Sequence, residues 1–152
     1  MPDRWRYPHQ DLGEPLHADG SPIRRPVVPL IVAQGRPSVL GVLDSGSPMS
    51  VADADLFGLL GIDIHRDAPV YEIPLSVAGG FQRTPVFQVE LQLRSSSVGV
   101  DEPVRWSLPL GARRGWRLPF AVLLGQRGWF DTFRTTIDAF ASVVELPKPA
   151  EA

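Results

Sequence analysis

The sequence predicts an all-β fold, a small barrel or sandwich with one or two short helices. Two observations lead to this prediction. Many short runs rich in β-branched residues are separated by glycine and proline, as in strands joined by tight turns. In residues 84–93, polar and apolar side chains also alternate with a period of two, which is the repeat of a strand with one buried face.

The composition is that of one soluble domain. The chain has 152 residues, of which 43% are hydrophobic and 21% charged, as is ordinary for a globular domain. The absence of cysteine excludes disulfides and thiolate metal sites. A net charge of −2 gives no general attraction to nucleic acid or anionic lipid. Since no apolar run approaches about 20 residues and residues 1–14 lack a signal-like apolar segment, we expect a cytoplasmic protein that does not bind membranes.

The chain is expected to have three parts. Residues 1–25 are polar and rich in proline and glycine, so they should form an extended arm that packs on the rest of the protein. Apolar runs begin after Pro26, and residues 26–146 should form the β domain. Residues 147–152 should form a flexible tail.

The predicted strands of the β domain come in pairs. Residues 27–32 and 39–43 flank a turn with glycine and proline, and residues 70–77 and 84–93 flank Ala78-Gly79-Gly80, which predicts a hairpin. The later elements are a polar loop at 94–102, a strand at 104–110, a basic turn at 111–117, a buried strand at 118–124, a helical turn at 125–131 and a final hairpin of strands 133–137 and 142–146.

Residues 52–60 are the longest helix candidate. Asp53 or Ser50 is a suitable N-cap, because a side-chain oxygen there accepts a hydrogen bond from a free backbone N–H. Gly61 should end the helix, since glycine readily adopts the left-handed conformation found after a helix.

The most informative segment is Val42-Leu43-Asp44-Ser45-Gly46-Ser47. Here an apolar strand leads directly to one aspartate on a turn of small and hydroxyl residues. Neighbours of this size leave the carboxylate open to a water molecule or to a second carboxylate. The tripeptide Asp44-Ser45-Gly46 alone is also an ordinary turn with aspartate as its cap, so a catalytic interpretation depends on the rest of the chain.

Several further segments, in the same order along the chain, resemble retropepsin-like aspartic proteases. Leu43-Asp44-Ser45-Gly46-Ser47 resembles the catalytic loop of that family, and Leu60-Gly61-Ile62 resembles the end of its short helix. Val122-Leu123-Leu124-Gly125 resembles its second apolar run ending in glycine. Trp129-Phe130-Asp131, followed by Thr135-Thr136-Ile137-Asp138, resembles the closing helix and strand of bacterial members. The resemblance covers about residues 26–146 and implies a small closed or partly open β-barrel of the retropepsin (acid protease) type.

The resemblance also implies roles for the residues of the first loop. Asp44 would be the catalytic acid, and Ser45, Gly46 and Ser47 would complete the active-site loop. Ser45 would hydrogen-bond to the loop of a partner chain, and Gly46 would permit the turn and a close backbone approach.

Two glycine-containing segments complete the implied site. Leu124 and Gly125 would form the supporting loop beneath it. Gly79 and Gly80 would form the flexible tip of a flap that closes over the substrate.

A homodimer follows from the same resemblance. A peptidase of this kind needs two carboxylates at one water, and the chain contains one Asp-Ser-Gly segment, so each chain would contribute one Asp44. Two carboxylates about 3 Å apart share a proton. The ionised one takes a proton from water while the other polarises the scissile carbonyl. The resemblance thus implies an aspartic endopeptidase acting on peptides or proteins, with an acidic optimum and without metal or other cofactor.

Alternatives remain open from the residues alone. A non-catalytic peptide-binding or scaffold domain could retain the fold. The arginines of residues 111–117, beside Trp116, could stack on single-stranded nucleic acid, although a solvated basic loop is the preferred explanation and nucleic acid is not an expected partner. The three histidines lack the spacing of zinc ligands, and no serine lies in a Gly-x-Ser-x-Gly elbow. Zinc and serine-hydrolase sites are therefore not expected.

Overall fold

The computed structural model describes residues 3–77, 80–96 and 102–147. These residues contain the strands β1 to β12, which are Arg4–Pro8, Gln10–Leu16, Pro22–Arg25, Val27–Ile31, Val39–Leu43, Val51–Asp53, Tyr71–Val77, Gly80–Leu93, Val104–Arg113, Val122–Leu124, Arg134–Ile137 and Ala141–Glu145. A 3-10 helix spans Ala54–Leu60, and one wide helical turn spans Gln126–Phe130. The predicted all-β fold with one or two short helices is confirmed.

Six strands hydrogen-bond in a closed ring, in the order β4, β5, β10, β6, β9 and β8. The ring closes where β8 returns to β4, with Leu30 opposite Leu93 and Ile31 opposite Gln92. β7 pairs with residues 80–86 of β8 and forms a long hairpin with it. Closure pairs the backbone groups that a sheet edge would leave free, so the domain is a small barrel.

The short strand β10 lies between the two strands that flank the Asp44 loop. It pairs in parallel with β5, with Leu124 opposite Leu43, and antiparallel with β6, with Val122 opposite Ala52. The chain leaves β5 at Asp44 and enters β6 at Val51, so the loop between them passes around the end of β10. This topology brings the segment after Leu124 directly against the Asp44 loop.

The interior of the ring is filled by apolar side chains from every strand of the ring. Trp106, Trp129 and Phe133 pack together at one end of this core, and the ring centroids of Trp106 and Trp129 are 5.6 Å apart in an edge-on arrangement. Trp106 Nε1 donates a hydrogen bond of 2.8 Å to the carbonyl oxygen of Gly128, so its polar edge is satisfied inside the core. The same bond fastens the turn after β10 to the barrel.

A second, smaller apolar cluster lies outside the barrel core. We call it the outer cluster, and its members are Val27, Val42, Phe120, Leu12, Leu40, Trp116, Leu118 and Leu123. It contains outward-facing residues of three adjacent ring strands, together with residues of the loop before β10 and one leucine from β2.

Residues 3–25 contain three strands. β1 pairs antiparallel with β12, which also pairs with β11, so these three strands form a second sheet. Trp5 and Tyr7 of β1 are buried in the barrel core, and the Tyr7 hydroxyl donates a hydrogen bond of 2.6 Å to the carbonyl of Arg94. β2 and β3 form a separate hairpin between β1 and β4. The domain boundaries at residues 25 and 146 stay a prediction.

Several predicted boundaries need correction. The helix predicted at 52–60 begins at Ala54, because the two preceding residues continue β6 and pair with β9. Its caps are as predicted: Asp53 Oδ1 accepts the N–H of Asp55 at 3.1 Å, and Gly61 ends the helix with a φ of 76°. Of the strand predicted at 118–124, only the last three residues are a strand, because the segment before them leaves the sheet to cover the outer cluster.

Candidate active site

Asp44 lies at the end of β5, in a turn that its own side chain stabilises. Its backbone N–H donates to the carbonyl of Leu124 at 2.9 Å, which extends the pairing of β5 with β10 by one residue. Its Oδ1 accepts the N–H of Gly46 at 3.0 Å, and its carbonyl accepts the N–H of Ser47 at 3.1 Å. The aspartate therefore caps a tight turn, and its half-buried carboxylate is held in one orientation.

Gly46 and the two serines of the loop complete this turn. A β-carbon at Gly46 would lie 3.2 Å from Asp44 Oδ1, tighter than most contacts of real side chains, which explains the preference for glycine. Ser47 Oγ donates to the carbonyl of Met49 at 2.7 Å and stabilises the next turn of the loop. Ser45 is exposed, and its carbonyl accepts a 2.6 Å hydrogen bond from Gln126 Nε2.

The segment after β10 interlocks with the Asp44 loop through backbone contacts. The N–H of Gln126 donates to the carbonyl of Ser47 at 2.8 Å, and the N–H of Arg127 donates to that of Pro48 at 3.2 Å. Gly125 lies so close that a β-carbon there would be 2.6 Å from the Ser47 carbonyl oxygen. Leu124 and Gly125 thus lie against the loop, and their role as a supporting loop beneath a catalytic site stays a prediction.

Ser50 connects the two loops and is not among the site residues predicted from the sequence. It is fully buried, and its Oγ accepts the N–H of Gly125 at 3.0 Å while donating to the carbonyl of Arg127 at 2.8 Å. Gly128 leaves space for it: its φ is 112°, and a β-carbon there would lie 2.6 Å from Ser50 Oγ. The sequence carries no signal for this bridge, because both partners of the Ser50 hydroxyl are backbone atoms of the distant segment after β10.

The hairpin of β7 and β8 extends beyond the barrel. Gly80 begins β8 opposite Val77, whereas Gly79, the other predicted tip residue, lies outside the described residues. Phe81, next to the tip, has 75% of its surface exposed.

Two contacts hold this hairpin to the end of β9, close to its tip. Arg113 is buried, and its Nη1 donates to the carbonyl of Leu75 at 3.0 Å. The side-chain amide of Gln82 donates to the carbonyl of Arg114 and accepts its N–H, both at 3.1 Å. The hairpin is therefore held against the end of β9 as far as Leu75 and Gln82.

The basic, aromatic-rich segment near residue 113 is part of the fold. Trp106 is in the core, and Arg113 is buried against β7. Trp116 packs edge-on against Phe120, with ring centroids 6.0 Å apart. Packing thus accounts for Arg113 and the two tryptophans, whereas Arg114 and Arg117 are exposed.

The arrangement at Asp44 provides a carboxylate for general acid–base chemistry on a rigid support. Across residues 3–77, 80–96 and 102–147, no group of three or more histidine, aspartate or glutamate side chains is placed to hold a metal ion. Asp53 and Asp55 lie instead at the start of the 3-10 helix, where acidic groups interact favourably with free backbone N–H groups. In the same described parts of the chain, no helix has the length and apolar character required to cross a membrane.

Comparison with known proteins relates the chain to others through its fold. No family model matches the sequence, and no curated protein matches it. The structure is similar to the crystal structure of a retropepsin-like aspartic protease from Rickettsia conorii, with a TM-score of 0.53 and 12% sequence identity over 96% of this chain and 94% of that one. At this identity the likeness concerns the fold alone. The protein thus has an all-β, retropepsin-like fold.

Proposed function

We propose that the protein is an aspartic endopeptidase in which Asp44 is the catalytic residue. The observation that carries this proposal is the interlock of two loops at Asp44. The aspartate caps its own turn, and the Leu124-Gly125-Gln126 segment supports that turn from below. A carboxylate held at a fixed position with small neighbours suits a group that must align a water molecule, since catalysis depends on preorganised geometry. The retropepsin-like fold is consistent with this function.

The proposed active form is a homodimer with one Asp44 from each chain. One carboxylate alone can accept a proton from water but cannot at the same time donate one to the scissile carbonyl oxygen. A symmetric dimer supplies both groups from one sequence. The ionised Asp44 takes a proton from water as the water oxygen attacks the carbonyl carbon, and the protonated Asp44 donates its proton to the carbonyl oxygen. When the tetrahedral intermediate collapses, the C–N bond breaks and the Asp44 that took a proton from water donates it to the amine nitrogen, while the other Asp44 recovers its proton from a hydroxyl of the intermediate.

The β7–β8 hairpin is the proposed flap. Gly79 and Gly80 would permit bending at its tip, and the exposed Phe81 would provide an apolar contact to substrate. The contacts of Arg113 and Gln82 hold the hairpin as far as Leu75 and Gln82, so closure would involve the tip alone.

The experiment that tests the function compares the purified protein with its Asp44→Asn variant. Both are incubated with a diverse peptide mixture between about pH 4 and 7, where a dyad that shares a proton is active, and products are identified by mass spectrometry. Asparagine can accept the Gly46 N–H as aspartate does, so the turn should persist. Asp55→Asn is the matched control, because this aspartate is exposed on the 3-10 helix.

Cleavage by the parent and by Asp55→Asn, but not by Asp44→Asn, would establish the proposed function. Absence of cleavage by the folded parent protein at every pH, with peptides still bound, would instead identify a non-catalytic peptide-binding domain.

A further inference from the structure

Asp44 and the outer cluster lie on the same face of the sheet. Leu43 is part of the barrel core, so its neighbours Val42 and Asp44 point to the opposite face, because successive side chains of a strand alternate. The alternation extends to Asp44, since its N–H still follows the β5–β10 ladder by donating to Leu124. Val42 belongs to the outer cluster. Apolar surface therefore begins immediately beside the proposed catalytic carboxylate.

Two segments of the chain cover this apolar surface. The loop before β10 is one of them, and it is held compact by a 2.6 Å hydrogen bond from Trp116 Nε1 to the Phe120 carbonyl. The other is the β2–β3 hairpin, whose Leu12 packs against the cluster. Leu12 is the outer-cluster residue from this hairpin, whereas Leu16, on the same strand, has 49% of its surface exposed.

The hairpin is fixed at both ends but has an unfavourable environment near each of them. The N–H of His9 donates to the Phe140 carbonyl at 2.8 Å, and the carbonyl of Pro26 accepts the N–H of Leu43 at 2.9 Å. Next to these anchors, His9 Nε2 and Arg25 Nε are buried and have no hydrogen-bond partner within the described chain. Burying such groups without partners costs free energy. One buried polar atom without a partner in the described part of the chain therefore lies at each of the two anchors of the hairpin.

We propose that the β2–β3 hairpin is a reversible strap that covers the apolar surface beside Asp44 and moves aside when a substrate places an apolar side chain there. This proposal rests on the proposed function, since it concerns access to the same site. In the closed state Leu12 has the position of that substrate side chain. Because only open molecules can bind, the measured affinity for a peptide is lowered by the fraction that is open.

The position of the hairpin in the chain distinguishes a strap from a removable pro-segment. β1 precedes the hairpin, pairs with β12 and buries Trp5 and Tyr7 in the core. Removal of everything up to residue 25 would therefore take away core side chains together with the hairpin. Opening between the anchors at His9 and Pro26 leaves β1 in place.

The test uses a hexapeptide in which a non-cleavable hydroxyethylene group joins two leucines. Binding is measured by calorimetry for the parent, for Leu12→Ala and for the matched control Leu16→Ala. Hydrogen exchange of the backbone amides of residues 10–25 is followed in the parent with and without the peptide. This second measurement needs no variant, so it remains informative if Leu12→Ala folds poorly.

The expected result is faster exchange in residues 10–25 when the peptide is bound. Leu12→Ala should also bind the peptide roughly three- to tenfold more tightly, because truncating this half-buried leucine weakens the closed state. The affinity of Leu16→Ala should equal that of the parent. Binding that leaves both the exchange rates and the Leu12→Ala affinity unaltered would overturn the strap while leaving the proposed function intact. If no variant binds the peptide and Asp44-dependent cleavage is also absent, the proposed function fails and the strap with it.

Discussion

Gly125 lies against Met49 so closely that a β-carbon at residue 125 would be 2.1 Å from the Met49 carbonyl oxygen. The obstacle is backbone of the loop that follows Asp44, and it cannot move aside as a flexible side chain would. The two interlocked loops can therefore approach this closely only because residue 125 has no side chain.

Gly125→Ala should therefore destabilise the protein by about 3 kcal/mol, at the upper end of overpacking effects. Gly58→Ala is the control, because a β-carbon at Gly58 meets nothing within 4 Å. It should change the free energy of unfolding by less than about 1 kcal/mol. Chemical denaturation of both variants measures the difference, and equal stability would show that the loops separate easily.

Ser50→Ala should remove the buried bridge between the same loops. The buried N–H of Gly125 would lose its partner, and the carbonyl of Arg127 would lose the hydrogen bond from Ser50. Leaving buried polar groups unsatisfied should cost about 2 kcal/mol of unfolding free energy. Ser76→Ala, at an exposed position of β7, should cost less than about 0.5 kcal/mol.

If the proposed function holds, Ser50→Ala should also lower the peptide cleavage rate at a temperature where the variant is fully folded. A variant as active as the parent under those conditions would show that the bridge affects stability alone.

Tyr7 predicts an effect at alkaline pH. Burial raises the pKa of the Tyr7 phenol above its ordinary value, because the charged form loses solvation. A folded-state pKa above the unfolded value contributes stability that is fully present below about pH 10, the ordinary tyrosine pKa, and is lost as the pH rises above it.

Tyr7→Phe should accordingly be less stable at neutral pH by about 1 kcal/mol, since the hydrogen bond to the Arg94 carbonyl is lost. Between pH 9 and about 11, however, the stability of Tyr7→Phe should fall less than that of the parent. Urea titrations at several pH values measure how the free energy of unfolding of each protein changes with pH. An equal change for Tyr7→Phe and the parent would contradict a buried neutral phenol.

The fold and the turn at Asp44 follow from local sequence, whereas the bridge that supports the turn does not. Alternation in residues 84–93 predicts the long strand of the hairpin, and small residues after Leu43 predict the turn. The sequence suggests Ser50 as a helix cap, whereas the partners of its hydroxyl lie 75 and 77 residues away and are backbone atoms, which leave no mark on the side-chain pattern.

The β2–β3 hairpin illustrates a second limit of local sequence. The chain reverses between β2 and β3, within a segment that is polar and rich in proline and glycine. The burial of Leu12 depends on Phe120 and its neighbours, which approach only when the barrel closes. Burial of isolated leucines in polar segments cannot be predicted without the tertiary contacts that produce it.

The proposed dyad predicts how activity depends on mixing parent and Asp44→Asn chains. If each active dimer needs one carboxylate from both chains, an equal mixture that exchanges randomly should retain roughly one quarter of the activity of the same total amount of parent protein, because one dimer in four carries two parent chains. A site made by a single chain would retain one half.

The two preparations are unfolded and refolded together to ensure exchange, and cleavage of a peptide identified in the first experiment is measured. An equal mixture with Asp55→Asn is the control and should keep full activity, since the exposed Asp55 side chain lies on the 3-10 helix. Retention of one half with Asp44→Asn would rule out a dyad shared between chains and would require a second acid from the same chain.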